Sequence, residues 1–534
     1  MATIGNAEGS ARPEAGWAFW AVLAALAIYV GLCIRQRENN GETDDWEHHR
    51  AIVALSKDLW KPGNPTYATD EPSIRYSPYS LGLALIVRSG AVDAYDALSG
   101  AGVASTVLMG LGLRSFLARY GHRRLASTAL VVMVVLWGGV PGYANSYALA
   151  DLPIQQVNPS AFAWALALFM WSWFRHLADS GARAPGLAGI ALLGALAMLS
   201  HAMTGAAAVI GLGIVALAAP PARRVALLAG AGIVGLGILA ACSAWPWYDF
   251  VLAVRGSKED ADYWYNKWIL ILMLTTWSAP AIALSACAWP LRGRELVRVG
   301  YLGAAVFYAL SASSLVTKSA LTARFPMVGI FFLHLLVAAY LGEVGLFRPG
   351  SWPGRIRDLS RSDYGHAARP ILDVIAGLLL ASCLVPQVWT ILKEPALARA
   401  YVAPLLRLKD EQNYVKRRYD RLLKGVGDRD VVLSDASTSW AVPSTAGRIV
   451  VANHLEFFTP GQKQRAKDVE TFLSPASTEE GRRAILERYD VRWILLSRKA
   501  ATPEVFAALL RPSAVVASDG DLRLMDARLW EQAR

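Results

Sequence analysis

Two adjacent carboxylates close behind the first apolar stretch are the residues of this sequence best suited to chemistry. Asp44 and Asp45 open the segment DDWEHHR, which follows the apolar run at residues 17–34 after the polar stretch RQRENNGET. A carboxylate held there can take the proton of a hydroxyl nucleophile, and a nearby guanidinium can stabilise a departing phosphate. Arg75, in the sequence EPSIRYSPYS, is the candidate for the second role.

A structural role is the alternative for the first of these acids. Asp44 and Glu47 have the spacing of a capping box, so Asp44 could serve only to cap a following helix. A second acid beside it, and a further acid, Asp151, predicted on the same side of the membrane, favour the chemical role.

Long apolar runs place these residues in a membrane protein. The chain has 534 residues, 54% hydrophobic and 18% charged, and its apolar runs are long enough to cross a hydrocarbon core as helices. We therefore predict a polytopic α-helical membrane protein of about eleven transmembrane helices. The predicted spans are 17–34, 93–116, 125–140, 159–177, 186–200, 204–220, 225–246, 268–290, 299–316, 325–345 and 371–390.

The distribution of basic residues predicts the orientation. Loops that follow even-numbered spans are rich in arginine, and the opposite short loops hold few basic residues. The positive-inside rule then puts the N-terminus in the cytoplasm and the acidic loops outside. The first apolar run has no small-residue cleavage site, which favours a retained anchor. We expect a bacterial inner membrane, with the site on the periplasmic face.

Three parts of the chain are predicted to project outward. The first is the loop 35–92, in which two surface helices flank an irregular proline-rich crossing. Ile52, Leu55 and Leu59 form the apolar face of the first helix, and Pro78 sets the start of the second. The second is the loop GYANSYALADLPIQQVNPS, whose terminal Asn-Pro suits the start of a helix. The third is residues 391–534, where strand-like and helical stretches alternate, so we predict an extracytoplasmic α/β domain after a membrane module spanning residues 1–390.

Several functional classes are disfavoured by composition. The net charge of +11 is partly a topology signal, and no basic stripe with interleaved aromatics suggests a nucleic-acid partner. No phosphate-cradling glycine motif stands in the predicted cytoplasmic loops. All four cysteines, at positions 33, 242, 287 and 383, fall in predicted spans, which argues against a disulfide framework.

The first outer loop resembles that of the C-type (GT-C) integral membrane glycosyltransferases. The likeness rests on the acid pair Asp44-Asp45, the aromatic and histidine-bearing helix after it, and the return Arg75-Tyr76-Ser77-Pro78-Tyr79. The many spans and the terminal outer domain agree with that superfold, which includes protein O-mannosyltransferases, the aminoarabinose transferase acting on lipid A and mycobacterial arabinosyltransferases. The pair is Asp-Asp here, whereas Asp-Glu is commoner in the family.

The resemblance implies roles for individual residues. The first acid of the pair is the usual base, which falls on Asp44, with Asp45 in support. Arg75 matches a basic residue that contacts the donor phosphate, and Arg324, in LTARFPMVG, resembles a late-span arginine with a similar task. Asp151 matches a second-loop acid that holds a metal or orients substrates in some members.

A divalent metal is one of two readings of the vicinal histidines. Asp44 with His48, or Asp45 with His49, stand one helical turn apart and could share an ion, to which Asp151 would be a third ligand. Histidines at a membrane interface more often serve as amphipathic residues without a metal. No other cofactor is predicted.

Further residues are candidates for binding substrate. Tyr76 and Tyr79 belong to the return that carries Arg75, and His201, in LSHAMTG, could bond to the donor phosphate or the acceptor. Arg255 and Lys258 lie in the aromatic outer loop RGSKEDADYWYNKW, which suits a sugar or a lipid phosphate. For His201 a structural role in the bundle, and for the loop an interface-anchoring role, are the alternatives.

The resemblance implies a glycosyltransferase that moves a sugar from a polyprenyl-phosphate donor to a glycan, lipid or protein acceptor on the outer face, with inversion and an Asp base. A secondary transporter is one alternative, but the predicted spans hold few acids and no repeat of one half in the other. A non-catalytic protein of cell-envelope assembly is the second alternative. An oligosaccharide ligase or polymerase is the third, disfavoured by the early acid pair.

Overall fold

A computed structural model of the chain describes residues 16–37, 45–71, 73–142, 145–180, 184–256, 267–268, 270–344, 377–390, 415–451 and 461–532. Helices account for most of these residues up to 390, and a mixed sheet lies in the last part. The helices that build and surround the site are α1 (Gly16–Arg37), α2 (Asp45–Lys57), α3 (Pro78–Arg88), α4 (Ala94–Ala118), α5 (Ala126–Val135), α6 (Leu152–Gln156), α7 (Pro159–Ser180), α8 (Ala184–Ser200), α9 (Ala202–Ala218), α10 (Pro221–Ser243) and α11 (Phe250–Gly256).

Further helices complete the apolar part of the chain. A π-helical turn at Met273–Trp277 and the helix Ala279–Ser285 precede a 3₁₀ segment at Ala286–Leu291. The long helices Glu295–Thr317 and Pro326–Val344 follow, separated by the short turn Ala320–Ala323. A last apolar helix covers Gly377–Thr390.

Helices lie at the positions of the predicted spans, and several of them can cross a membrane. Among the described residues five helices are long and apolar enough: Gly16–Ile34, Ala94–Ala118, Pro221–Ser243, Glu295–Thr317 and Leu321–Gly342. A pair bent by 60°, Leu270–Trp277 with Ala279–Leu291, would make a sixth. Other apolar helices, α8 and α9 among them, have 10–17 residues, so the count of about eleven stays a prediction. The chain is an integral membrane protein.

Helix α7 forms the centre of the apolar bundle and packs against α4, α8 and α9. Its side chains Trp164 and Trp171 are fully buried. The indole of Trp171 donates to the carbonyl of Ala208 on α9 at 2.7 Å. This close approach needs a residue without a side chain at Gly211, where an added Cβ would lie 2.2 Å from the Trp171 ring. Small residues bring membrane helices together in this way.

Residues 415–532 contain a five-stranded sheet with helices around it. The strands are β1 (Val431–Leu433), β2 (Arg448–Ile449), β3 (Val491–Ser497), β4 (Val515–Asp519) and β5 (Leu522–Asp526), in the order β2-β1-β3-β5-β4. β1 is parallel to β2 and β3, whereas β5 is antiparallel to β3 and β4. The helices of this unit are Val415–Leu422, Ala436–Ser439, Val442–Thr445, Gln462–Phe472, Glu479–Arg488, Pro503–Leu509 and Ala527–Gln532.

The first outer loop joins the edge of this sheet. Tyr67 forms a parallel bridge to Ile449 of β2: the amide of Ala68 donates to the Ile449 carbonyl at 2.9 Å, and the Ile449 amide donates to the Thr66 carbonyl at 2.8 Å. The Tyr67 side chain is buried in the apolar core on one face of the sheet. The loop between α2 and α3 and the α/β unit therefore form one packed structure.

Candidate active site

Helix α2 presents the histidine-bearing segment to the bundle. The sequence predicts that this helix lies on the membrane surface, but Ile52 and Leu55 are fully buried among residues of α3 and α4, including Leu83 and Leu98. Leu59, the third residue of the predicted apolar face, falls beyond the end of the helix. The apolar face of α2 is thus covered by protein, which fixes the helix in place.

Helix α3 begins where the sequence places its start. The Ser77 side chain caps the helix by accepting from the Ser80 amide, and Pro78 occupies the first turn, where its missing N–H costs nothing. The tyrosines on either side of this cap are buried: the Tyr76 hydroxyl donates to the Gly63 carbonyl at 2.5 Å and the Tyr79 hydroxyl donates to the Val157 carbonyl at 2.6 Å. These two bonds hold the return that carries Arg75.

His201 separates α8 from α9. Its backbone is extended, and its Nδ1 caps α9 by accepting from the Thr204 amide at 3.3 Å. The same nitrogen lies 2.8 Å from the Thr204 hydroxyl, which donates to Asn145 Oδ1 at 3.0 Å. His201 is thereby fixed to the second outer loop.

The charges of arginines act on both His48 and His201. The pKa of His201 is lowered to about 3. Burial is the largest cause of this shift, and the charges of Arg324 and Arg75 contribute to it. Burial also holds the pKa of His48 well below its ordinary value, with the Arg75 charge and His201 as further causes. The electrostatic influence of Arg75 on both rings brings α2, the return before α3 and the α8–α9 break into one site. Both imidazoles are neutral at pH 7.

Arg324 reaches the site from a different part of the chain. Arg324 directly follows the short helical turn Ala320–Ala323, and the side chain of Ser319 caps the start of that turn. Helix Pro326–Val344 starts directly after it and is buried along most of its length. Arg324 therefore lies just before the first turn of a buried helix.

Several buried polar atoms around His201 have no hydrogen-bond partner within the part of the chain that the structure describes. They are Nδ1 of His48, Nδ2 of Asn145 and Oγ of Ser200. All three residues are less than a tenth exposed. Unmatched buried donors and acceptors are costly in a folded protein, and a site that receives a polar ligand accounts for them.

Asp151 holds the second outer loop together. It is 2% exposed, and its Oδ2 accepts from the Gly142 amide at 2.9 Å and from the Ser146 hydroxyl at 2.7 Å. The adjacent helix α6 begins directly after it. These contacts fix the loop that also carries Asn145, whose backbone is left-handed with φ of 66°. The proposed substrate-binding role of Asp151 stays a prediction.

The described residues include no group of three histidine, cysteine or acidic side chains placed to hold a metal ion. His49 stacks on Tyr95, with ring centroids 3.8 Å apart, while His48 lies edge-on to Tyr79. The two vicinal histidines thus have different neighbours. The predicted ligand Asp44 lies outside the described residues, so the metal hypothesis stays open for that residue.

Other predicted site residues are only partly described. Lys258 lies outside the described residues, as does Asp44. Asp45 starts α2 and Arg255 lies in α11, but the structure describes only their backbone. The sequence prediction overlooked Asn145 and Thr204, which connect His201 to the second loop. The sequence signal that identifies Thr204 is its spacing: an N-cap side chain accepts from the amide three residues later, and Thr204 is three residues after His201.

Comparison with known proteins supports a fold class. No protein-family model matches the chain, and no curated protein sequence matches it significantly. The apo oligosaccharyltransferase of Archaeoglobus fulgidus aligns with 91% of this chain and 70% of its own, at 10% identity and a TM-score of 0.52. The arabinofuranosyltransferase AftD from Mycobacteria aligns with 97% of this chain at 14% identity and a TM-score of 0.54, and the alignment spans 40% of AftD.

These similarities, at low identity, concern the fold. The chain has the fold of the GT-C glycosyltransferases, and the resemblance inferred from the first outer loop is confirmed at that level.

Proposed function

We propose that this protein is a membrane glycosyltransferase that transfers a sugar from a polyprenyl-phosphate donor to an acceptor hydroxyl on the periplasmic face. The observation that carries the proposal is that Arg75 and Arg324 both lie within electrostatic range of the partly buried His201, and that Arg75 also influences His48 on the helix that begins at Asp45. Two guanidinium groups at a membrane-facing site suit a lipid phosphate, which they can bind with paired hydrogen bonds.

The proposed reaction is a single displacement. Asp44 takes the proton of the acceptor hydroxyl, with Asp45 in support, and the acceptor oxygen forms a bond to the anomeric carbon from the face opposite the phosphate. The bond from that carbon to the phosphate oxygen breaks, and the polyprenyl phosphate leaves with its charge stabilised by Arg75 and Arg324. The configuration at the anomeric carbon inverts. A phosphate is a weak base, so its departure needs no general acid.

The histidines suit a role in orientation. Both imidazoles are neutral at pH 7, so they offer hydrogen bonds to sugar hydroxyls or phosphate oxygens without adding charge. The unpartnered Nδ1 of His48 and Nδ2 of Asn145 supply one acceptor and one donor for such bonds.

The fold neighbours support the donor class. One structure of the archaeal oligosaccharyltransferase AglB, with a TM-score of 0.50, is a complex with an inhibitory peptide and a dolichol-phosphate. A lipid phosphate as the donor group fits the arginines of this chain, and the acceptor hydroxyl belongs to a glycan, a lipid or a protein.

The proposal is tested with purified protein in lipid nanodiscs and a panel of synthetic polyprenyl-phosphate sugars. Polyprenyl phosphate release is measured for the wild type, Asp44→Asn and Asp45→Asn. Loss of a general base lowers the rate by roughly 10²–10⁴-fold, which we expect for Asp44→Asn. Glu71→Gln, which removes an exposed acid of the same loop, is the matched control and should be fully active.

The outcomes separate the possible bases. Full activity of Asp44→Asn with loss in Asp45→Asn would move the base to Asp45. Absence of donor turnover by the wild type with every sugar in the panel would contradict the proposed function. Chelator is added in a parallel series, and a loss of rate restored by a divalent ion would establish the metal hypothesis for Asp44 and His48.

A further inference from the structure

We propose that a groove lined by tryptophans, next to Arg75, binds the sugar units of a neutral glycan acceptor. The tryptophan groove consists of Trp60, Trp245 and Trp247 with Asp70 and Asp249, and encloses a cavity of about 880 Å³. Ligand pockets range from roughly 300 to 1,000 Å³, so this volume accommodates a short oligosaccharide. The assignment rests on the proposed function, for which it names the acceptor class.

The aromatic side chains of the groove form one contiguous cluster. The rings of Trp60 and Trp247 are nearly parallel, at 9°, with centroids 5.7 Å apart, and Trp245 lies 4.7 Å from Trp247. Trp60 is 76% exposed, so most of its ring surface is open to a ligand. A sugar ring presents an apolar C–H face that stacks on such surfaces.

Hydrogen bonds orient two of the three rings. The Trp245 indole donates to the Tyr76 carbonyl at 3.0 Å, and the Trp247 indole donates to the Leu59 carbonyl at 2.7 Å. Tryptophans that only anchor a protein at a membrane interface keep their N–H groups among water and headgroups. Here both N–H groups face the protein, and the bonds join the segment between α10 and α11 to the loop 35–92.

The charges of the groove favour an uncharged polyol. Its lining includes the exposed carboxylates of Asp70 and Asp249 and the ammonium of Lys61. Carboxylates accept hydrogen bonds from sugar hydroxyls but repel a phosphate, which makes this groove a poor site for the donor. Arg75 and Arg324, which do not belong to this lining, supply the opposite charge for the donor phosphate.

The groove and the candidate active site share a wall. Tyr76, whose backbone carbonyl accepts from Trp245, directly follows Arg75 and is one of the residues that line the groove. A glycan bound in the tryptophan groove can therefore extend its terminal hydroxyl toward the residues that bind the donor phosphate.

The test measures sugar binding without any transfer reaction. Wild-type protein in nanodiscs is examined by saturation-transfer NMR with neutral trisaccharides of glucose, mannose, galactose and arabinose. We expect saturation of the sugar protons for at least one trisaccharide, and a loss of binding by about five- to tenfold in Trp60→Ala, as an aromatic contact predicts. Trp289→Ala is the matched control, since Trp289 is also exposed and contacts another ring, Tyr301, at 5.6 Å.

Two results would overturn the assignment: no saturation of any trisaccharide, or equal saturation in wild type and Trp60→Ala. Binding of a polyprenyl phosphate that Trp60→Ala abolishes would assign the groove to the donor and equally overturn it. Donor turnover is measured on the same samples. Trp60-dependent sugar binding without donor turnover would retain the groove and contradict the proposed function, and turnover without such binding would do the reverse.

Discussion

His48 is buried and His201 is partly buried, and both histidines stay neutral within the influence of arginine charges. Their environment excludes a further positive charge, because burial disfavours the imidazolium and Arg75 opposes it at both rings. A neutral imidazole can accept as well as donate a hydrogen bond, which an imidazolium cannot. In the proposed function, the arginines supply permanent positive charge for the phosphate and the imidazoles supply uncharged groups for hydroxyls.

This arrangement predicts a loss of stability in acid. The pKa of His201 is about 3 in the folded protein, against an ordinary value of 6.5, so the unfolded chain takes up the proton first. The stabilisation is complete above pH 6.5 and decreases as the pH falls toward 3, by about 2 kcal/mol at pH 5 for this group. His48 contributes in the same direction. The melting temperature should therefore fall between pH 7.5 and pH 5.

His201→Asn isolates this effect, because asparagine removes the titration and keeps a side-chain cap for α9. We expect a flatter dependence of the melting temperature on pH in His201→Asn than in the wild type. His176→Asn, at the opposite end of the bundle, should keep the wild-type dependence. An unchanged dependence in His201→Asn would mean that other groups cause the acid instability.

At the scale of elements, the break between α8 and α9 is held by close helix packing. Gly211 on α9 faces the Trp171 ring of α7, and the Trp171 indole bonds to the Ala208 carbonyl on the same helix. This contact sets the position of α9, whose first turn carries His201 as its cap.

Gly211→Ala should destabilise the protein by about 1–3 kcal/mol, because the new Cβ would lie 2.2 Å from the ring and the helices must separate. Gly213→Ala, two residues further along α9, meets nothing within 4 Å and should be neutral or slightly stabilising through helix propensity. Thermal unfolding in detergent compares the two variants. Equal melting temperatures would show that α9 has room to shift.

The sequence predicts the elements well where local physics determines them. Apolar length predicts the long helices, and Ser77-Pro78 predicts the start of α3. The short helix α6 was not expected, since its residues Leu152–Gln156 sit in a loop and are held by Asp151 and by burial. The burial of Ile52 against α3 and α4 could not be predicted from the spacing of apolar residues either. The spacing in an amphipathic helix is the same whether lipid or protein covers its apolar face.

For the candidate site, residue types were predictable and their contacts were not. Arg75, His201 and Arg324 are singled out by the sequence, and the fold brings their electrostatic influence together at His201. The Asn145–Thr204 bond and the Trp60–Trp247 stack join residues 59 and 187 positions apart. No local pattern encodes such a pairing, since it depends on how distant helices pack.

At the scale of the whole molecule, the α/β unit holds helix α2, which carries His48, through contacts with two basic side chains. Arg50 of α2 is 5% exposed, and donates to the carbonyl of Asp428 at 3.1 Å and to its carboxylate at 3.3 Å. It also donates to the Pro65 carbonyl at 3.0 Å. Lys57 makes a second ion pair with the Asp428 carboxylate from the exposed end of α2. The pKa of Asp428 is lowered by these two cations, against the effect of burial.

Arg50→Ala should cost about 1–3 kcal/mol of stability, because it removes a buried side chain and leaves the buried Pro65 carbonyl without its donor, while the Asp428 groups that also lose their donor are exposed to water. Lys57→Ala removes an exposed pair and should cost less than about 1 kcal/mol. We also expect donor turnover to fall in Arg50→Ala, since α2 is freed from the α/β unit. Similar melting temperatures and rates in both variants would show that the α/β unit does not fix α2.

The measurement that tests the central claim most directly is single-turnover release of polyprenyl phosphate by the wild type, Arg75→Ala, Arg324→Ala and Arg119→Ala. Removing one group that stabilises a developing charge costs roughly 10²–10³-fold in rate. The account predicts a loss of that order for Arg75→Ala and for Arg324→Ala, and full activity for Arg119→Ala, whose exposed arginine lies at the other end of α4. Donor turnover that is equally fast in all four proteins, or absent from the wild type, would contradict it.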